Sequence, residues 1–345
     1  MTDASHTAIA EEASRLVSVV VIGRNEGDRL HRCLQSISQI KHPDFDLEVI
    51  YVDSGSEDGS VTLAEEAGAR VIALQPERPS AALGRNAGWR AANGSTILFL
   101  DGDTVLHPDF VANSLPDLST PDIAVIWGHR RELYPRRSMY NRVLDLDWIY
   151  LAGPTLYCGG DALFRRSVLA ETGGFDELLI AGEEPELCRR IAALGFTILH
   201  VDRPMTGHDL AITRWRQYWK RSTRAGHAFA EVSERLRATG QTFWMGESRR
   251  NRNRALVLVG LCLAGLAASL YFGSILPGVI VCVFFAAISV RSAWKARWKS
   301  DDRVALLLYG IHSHLQQVPI YCGQLQYKWN RYRGKRVHLL EYKQP

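Results

Sequence analysis

The chain has 345 residues, 46% of them hydrophobic, enough for one large domain with an appendage, and its net charge of only +4 argues against a nucleic-acid binder. Its six cysteines, Cys33, Cys158, Cys188, Cys262, Cys282 and Cys322, are dispersed without a C-x-x-C pair, which points away from zinc and from a disulfide framework and fits a reducing compartment. Residues 1–15 are polar and acidic where a secretory signal would be basic and then apolar, so they read as a loose tail.

Leu16 to Gly23 (LVSVVVIG) is a β-branched run that predicts a buried strand, with Asn25 as the N-cap of a helix reaching about Gln39. Leu47 to Val52 is the next strand and ends in Asp53-Ser-Gly-Ser-Glu-Asp-Gly. A helix closed by Gly68 leads to a third strand, Ala69 to Leu74, and Ser80 opens a helix that Gly94 terminates. The fourth strand is Thr96 to Asp103 (TILFLDGD), four apolar residues running into two carboxylates separated by one glycine. Strand and helix alternate four times, which predicts a doubly wound α/β fold with a mostly parallel sheet.

Open sheets of this kind bind ligands outside the C-terminal ends of their strands, where Asp101 and Asp103 fall. Hard cations such as Mg²⁺ or Mn²⁺ suit such carboxylates when a diphosphate completes the shell, although Asp-Gly-Asp is also ordinary turn chemistry. Neither G-x-G-x-x-G after the first strand nor a G-K-[ST] loop occurs, so phosphates must be held another way.

Pro116, Pro121, Pro135 and Pro154 make the stretch from Pro108 to about Tyr157 read as irregular. A Cys158-Gly-Gly-Asp turn follows, then a helix ending at Gly173-Gly174. Glu183, Glu184 and Glu186 open a helix to about Ala193, a position that the helix dipole alone favours for carboxylates. A strand from Phe196 to Val201 precedes Gly207-His208-Asp209.

From Arg214, RWRQYWKRSTRAGHAF interleaves cations with aromatic rings, as a helix at a membrane interface or facing an anionic substrate would. Ala255 to Val290 then carries no charged side chain, whereas a single span needs about 20 residues. Two helices joined near Gly273 to Gly278 are expected, spanning the bilayer or dipping into one leaflet. Arg249, Arg250, Arg252 and Arg254 at one end, with Arg291, Lys295, Arg297 and Lys299 at the other, put both ends in the cytoplasm. The segment Val304 to Trp329 is apolar and aromatic but broken by His312, His314, Gln316, Gln317 and Pro319, so it reads as interfacial or packed on the hairpin.

VVVIGRNEG, IYVDSGSEDGS, GRNAGWRAANGSTILFLDGD, CGGDALFRRSVLAETGGFDE and GEEPELCRRIAALG, in this order, resemble an inverting family 2 glycosyltransferase of GT-A fold, over roughly residues 17 to 230. The resemblance implies transfer of a sugar from a nucleotide sugar, a UDP-sugar ahead of a GDP-sugar, with Mg²⁺ or Mn²⁺ as cofactor. It places Asn25 and Glu26 at the nucleotide, Asp53 at the base, and Arg85 and Asp101 on the donor side. Asp103 is the principal metal ligand it implies, with Asp101 and His208 completing the site. Gly159, Gly160 and Asp161 match the acceptor-side loop, and Glu183-Glu184 the Glu-Asp motif, with Glu184 at the catalytic base. The base position is usually Asp. Processive synthases carry Q-x-x-R-W, but Ala211 stands where that glutamine would, which favours single-sugar transfer.

These readings divide the chain into a tail (1–15), a catalytic domain (16–230), a basic linker (231–254), a membrane hairpin (255–290) and a basic tail (291–345). The expected acceptor is a polyprenyl-diphosphate-linked glycan in the inner leaflet, contacted by Lys220, Arg221 and Arg224, in the synthesis of cell-surface polysaccharide. Self-association is left open. The rival readings are a polyprenyl-phosphate glycosyl synthase and a membrane-tethered nucleotide-binding protein without catalysis.

Overall fold

The computed structural model describes residues 16–42 and 44–334; the expected N-terminal tail and the end of the basic tail lie outside the described residues. The chain forms two compact units. One takes the chain up to Leu133 together with Tyr150–Asp209, and the other Tyr134–Ile149 with the chain from Leu210. The first unit thus ends some twenty residues before the boundary read from the sequence.

The first unit opens with β1 (Leu16–Gly23), α1 (Asp28–Ser38), β2 (Asp46–Asp53), α2 (Ser60–Glu66), β3 (Arg70–Ala73), α3 (Ala81–Ala91) and β4 (Thr96–Asp101). Val19 to Val21 and Ile97 to Leu100 are fully buried, as uninterrupted apolar runs in a sheet covered on both faces must be. Ser80 caps α3, accepting from the Leu83 amide. Asn25 does not cap α1. The residue before that helix is Gly27, without a side-chain cap bond, and Asn25 itself lies at φ 55.

β5 (Thr104–Leu106) follows, and the stretch expected to be irregular, from Pro108, then holds α4 (Phe110–Leu118) and the ten-residue β6 (Ile123–Glu132). Pro116 is accommodated inside α4, and Pro121 falls in the turn before β6. The proline count therefore hid a central strand. The chain next leaves this unit for α5 (Met139–Asp145) and returns with β7 (Gly153–Thr155), β8 (Ala162–Arg165), α6 (Arg166–Thr172), α7 (Glu183–Ala193) and β9 (Thr197–His208).

The strands join in the order β3-β2-β1-β4-β8-β6-β9-β5, with β7 also on β9. β3, β2, β1 and β4 are parallel, the expected half; beyond them β8 runs antiparallel to β4 and β6, while β6 and β9 are parallel. This is the α/β GT-A architecture with a mostly parallel centre.

The second unit is helical: α5, α8 (Trp215–Ala238), α9 (Met245–Phe272), α10 (Leu276–Lys295), α11 (Arg303–Leu315) and α12 (Gln317–Tyr332). Leu144, Ile212 and Tyr218 form one small core, and Leu146, Ala296 and Leu306 another. α8 and α12 meet backbone to backbone, since a Cβ at Gly226 would collide with the Ile320 carbonyl. Among the described residues α9 and α10 are the helices long and apolar enough to cross a membrane, joined at Gly273 as the composition predicts. α11 and α12 turn the amphipathic tail into two further helices that pack within this unit.

Candidate active site

Strand register assembles the site. Asp53 ends β2 opposite Gly23, and Asp101 ends β4 opposite Ile22, so the acids sit at the C-terminal edge of three adjacent parallel strands. β8 runs the other way, with Ala162 opposite Phe99, and so carries Gly159-Gly160-Asp161 back over Asp101. His208 ends β9 opposite Thr104 on one side and Glu132 on the other, which brings it beside Asp103.

Arg85, from α3, sits at the centre and is only 2% exposed. Its Nη1 donates to Glu183 Oε1 at 2.9 Å and pairs with Glu184 Oε1 at 3.0 Å, while Nη2 donates to Asp101 Oδ1 at 2.9 Å. Burial alone would lower the guanidinium pKa, but Glu184, Asp101 and Glu183 outweigh it and keep Arg85 charged. Burial and the neighbouring Glu183 raise Glu184 to about 7, despite the opposing pull of Arg85. A carboxylate at that value is matched to general-base work near neutral pH.

Asp103 and His208 form the second pair, with Nε2 3.1 Å from Asp103 Oδ2 and both side chains buried. Glu132 Oε2 lies 4.0 Å from Nδ1 of the same ring. Burial, reinforced by Arg130, holds the His208 pKa below its ordinary value, so the imidazole is neutral at neutral pH, the form that ligates metal. Among the described residues no three acidic, imidazole or thiol groups can hold a metal ion alone. The donor set nevertheless fits a hard cation whose shell is finished by phosphate oxygens: a carboxylate, a neutral imidazole, and Asp101 one residue beyond Gly102.

Asp161 faces inward. Its Oδ1 accepts from the Asp101 amide at 3.0 Å and its Oδ2 from Thr206 Oγ1 at 2.8 Å, tying the glycine turn to the end of β4 and to β9. At the end of β2 Asp53 accepts from Tyr51 Oη at 3.0 Å and from the amides of Gly55 and Ser56 at 2.9 and 2.8 Å, so it shapes its own loop. Asn25 stitches that loop to β1: its amide donates to Ser56 Oγ and its Oδ1 accepts from the Glu57 amide, both at 2.8 Å. Glu26 pairs with Arg29 at 2.9 Å.

Lys220, Arg221 and Arg224 belong to the other unit, on α8. Lys220 is exposed, while Arg221 and Arg224 are partly buried. Arg221 contributes to the field around Asp147, whose Oδ2 lies 3.3 Å from His312 Nε2. Sequence reasoning passed over Arg130, Glu132 and Asp209. Arg130 Nη2 approaches Asp101 Oδ2 at 3.5 Å, and Asp209 pairs with Arg32 at 2.9 Å and donates its amide to the Asp103 carbonyl. The signal for the first two was the apolar run AVIW leading into HRRE, a strand ending in charge, as β4 does.

The chain matches the family model described as Glycosyl transferase family 2 over residues 18–173, and Glycosyl transferase family group 2 over residues 96–294. It is 24% identical over 191 residues to Glycosyltransferase AglE of Haloferax volcanii, covering 53% of this chain and 63% of that one. It is 26% identical over 209 residues to the Pre-mycofactocin glycosyltransferase of Mycobacterium tuberculosis, covering 56% and 43%. The chain thus spans less than two thirds of the length of these curated relatives. The mannosyltransferase PcManGT from Pyrobaculum calidifontis, solved with GDP-Man and Mn²⁺, shares the fold at a TM-score of 0.66 and 18% identity, over 92% of this chain and 88% of that one. With a family model covering more than half of its length and the GT-A sheet around paired acidic motifs, the chain belongs to the family 2 glycosyltransferases.

Proposed function

We propose that this protein is a metal-dependent inverting glycosyltransferase that moves one sugar from a nucleotide sugar to a hydroxyl of a membrane-associated, polyprenyl-diphosphate-linked glycan. The observation that carries the reading is the convergence of two acidic sets at one sheet edge, Asp101 and Asp103–His208 on one side and Glu183–Glu184 on the other. Asp103 and His208, with Asp101, would hold Mg²⁺ or Mn²⁺. Bound there, the cation would neutralise the leaving diphosphate. PcManGT, of the same fold, was solved with such a pair of ligands.

Glu184 takes the proton of the acceptor hydroxyl as its oxygen bonds to the anomeric carbon, and the nucleotide diphosphate leaves with the electron pair of the broken bond. The loop held by Asn25 and Asp53, with Glu26 beside it, receives the nucleotide, a UDP-sugar ahead of a GDP-sugar. The Gly159-Gly160-Asp161 turn borders the acceptor. α9 and α10 anchor the chain in the cytoplasmic membrane with the catalytic unit on the cytoplasmic side, and Lys220 and Arg224 face the acceptor's diphosphate, while Arg221, in the field of Asp147, chiefly supports the helix that carries them.

A thermal-shift screen of UDP- and GDP-sugars with and without Mn²⁺, followed by mass analysis of the lipid product, tests this. Stabilisation requiring both sugar nucleotide and metal, and a product heavier by one sugar on an intact diphosphate, is expected. No stabilisation by any nucleotide sugar would sink the enzyme reading. A monophosphodiester product would move the acceptor to a lipid phosphate.

A further inference from the structure

Three carboxylates from two elements, Asp101 of β4 with Glu183 and Glu184 of α7, end on one guanidinium, and that guanidinium is itself held rigidly. Arg85 is fully buried inside the first unit, with Phe175 packed over it at 5.5 Å. The next residue, Asn86, donates through Nδ2 to the Phe175 carbonyl at 2.8 Å and accepts from the Phe175 amide at 2.9 Å, which pins α3 to the segment leading into α7. On the opposite side there is no slack. A Cβ at Gly160 would stand 2.5 Å from Arg85 Nη2 and 2.9 Å from Asp101 Oδ2.

We propose that Arg85 is a positioning residue of the transfer step: its planar fork fixes the Glu184 carboxylate relative to Asp101, so that base and donor anchor are set against each other by one rigid group. The proposal rests on the glycosyltransferase reading above and reassigns Arg85 from donor contact to alignment. A guanidinium can do this because its donors diverge in a fixed plane, whereas an ammonium is a point charge on a flexible stem. Misplacing a reacting group by about 1 Å can cost on the order of 10²-fold in rate. Charge alone is therefore insufficient, and lysine cannot substitute fully.

Arg85→Lys and Gly160→Ala disturb the same atoms from opposite sides. Each is expected to lower kcat about 10²-fold while the affinity for UDP or GDP with Mn²⁺, measured by calorimetry, stays within about threefold. The double variant R85K/E184Q should be no slower than E184Q, because residues acting as one unit are non-additive. Circular dichroism reports folding, and where R85K does not fold, Gly160→Ala carries the test. Wild-type kcat in the folded variants would overturn the proposal, as would a tenfold weaker nucleotide affinity with kcat unchanged, or additive losses in the double variant. Undiminished transfer by E184Q would instead remove the base assignment itself, an outcome separable from every result on Arg85.

Discussion

In the first unit apolar side chains fill the sheet's two faces and the charged groups gather at its strand ends, paired and largely buried. Along α9 and α10 of the second unit the arrangement is inverted. Leu263, Leu266, Leu270 and Val283 are 58–76% exposed, while Asp147, His312 and Tyr218 form a hydrogen-bonded chain inside the unit, with His312 Nδ1 2.7 Å from Tyr218 Oη. Apolar patches of this kind mark interaction or membrane surfaces, and α9 and α10 are long and apolar enough to cross a membrane. The contrast teaches that the two regions present opposite surfaces: the first concentrates charge where a polar ligand can enter, and the second turns its apolar side chains outward and gathers Asp147, His312 and Tyr218 within.

The largest effect that would break this contrast belongs to the first unit. Glu184→Gln should lower kcat by about 10²- to 10⁴-fold with nucleotide affinity unchanged, because the amide keeps the shape but accepts no proton. Steady-state kinetics with calorimetry decides, and a loss confined to affinity moves the base elsewhere. In the wild type, kcat should rise with pH through about 7, where Glu184 ionises. The sign for stability is opposite. An acid with a raised folded-state pKa favours the native state below its ordinary value, and that contribution is lost as pH rises through about 7. Denaturation midpoints of the wild type and E184Q should therefore diverge as pH rises, the variant becoming the relatively more stable.

Asp103→Asn should abolish the metal-dependent thermal shift while leaving the melting temperature without ligand nearly unchanged, because an isosteric amide can still meet His208. Retained turnover with Mn²⁺ at the wild-type rate would refute the metal assignment.

For the second unit, Leu263→Lys should cost about 2.5–3.5 kcal/mol of insertion if α9 spans a bilayer, and within about 0.5 kcal/mol of stability if it does not. The membrane-inserted fraction after carbonate extraction separates the two. His312→Ala strips Asp147 and Tyr218 of a shared buried partner and should destabilise this unit by about 1–3 kcal/mol, read from chemical denaturation in detergent. Donor affinity should not follow.

The smallest effect concerns α8. Lys220→Gln and Arg224→Gln in detergent should raise KM for lipid-linked acceptor on the order of two- to fivefold, whereas Arg221→Gln should chiefly lower the melting temperature, because Arg221 sits in the field of Asp147. Equal behaviour of all three would erase the distinction.

The order of strands and helices up to β4, the acids at its end and the apolar hairpin were legible in sequence because each is a local pattern: a buried run, a cap, a stretch without charge. β6 was not, since prolines on both sides masked a strand whose partners, β8 and β9, lie far along the chain. Asp161 illustrates the same limit. Its motif marks a glycine turn, but only the antiparallel register of β8 against β4 shows that its carboxylate is spent on the Asp101 amide and Thr206. Arg85 was expected on the donor side, and nothing in the sequence marked it as the shared partner of Asp101, Glu183 and Glu184. Sequence carries the type and spacing of charges, whereas which charges meet is decided by burial and strand register, where desolvation makes every buried cation find its anions.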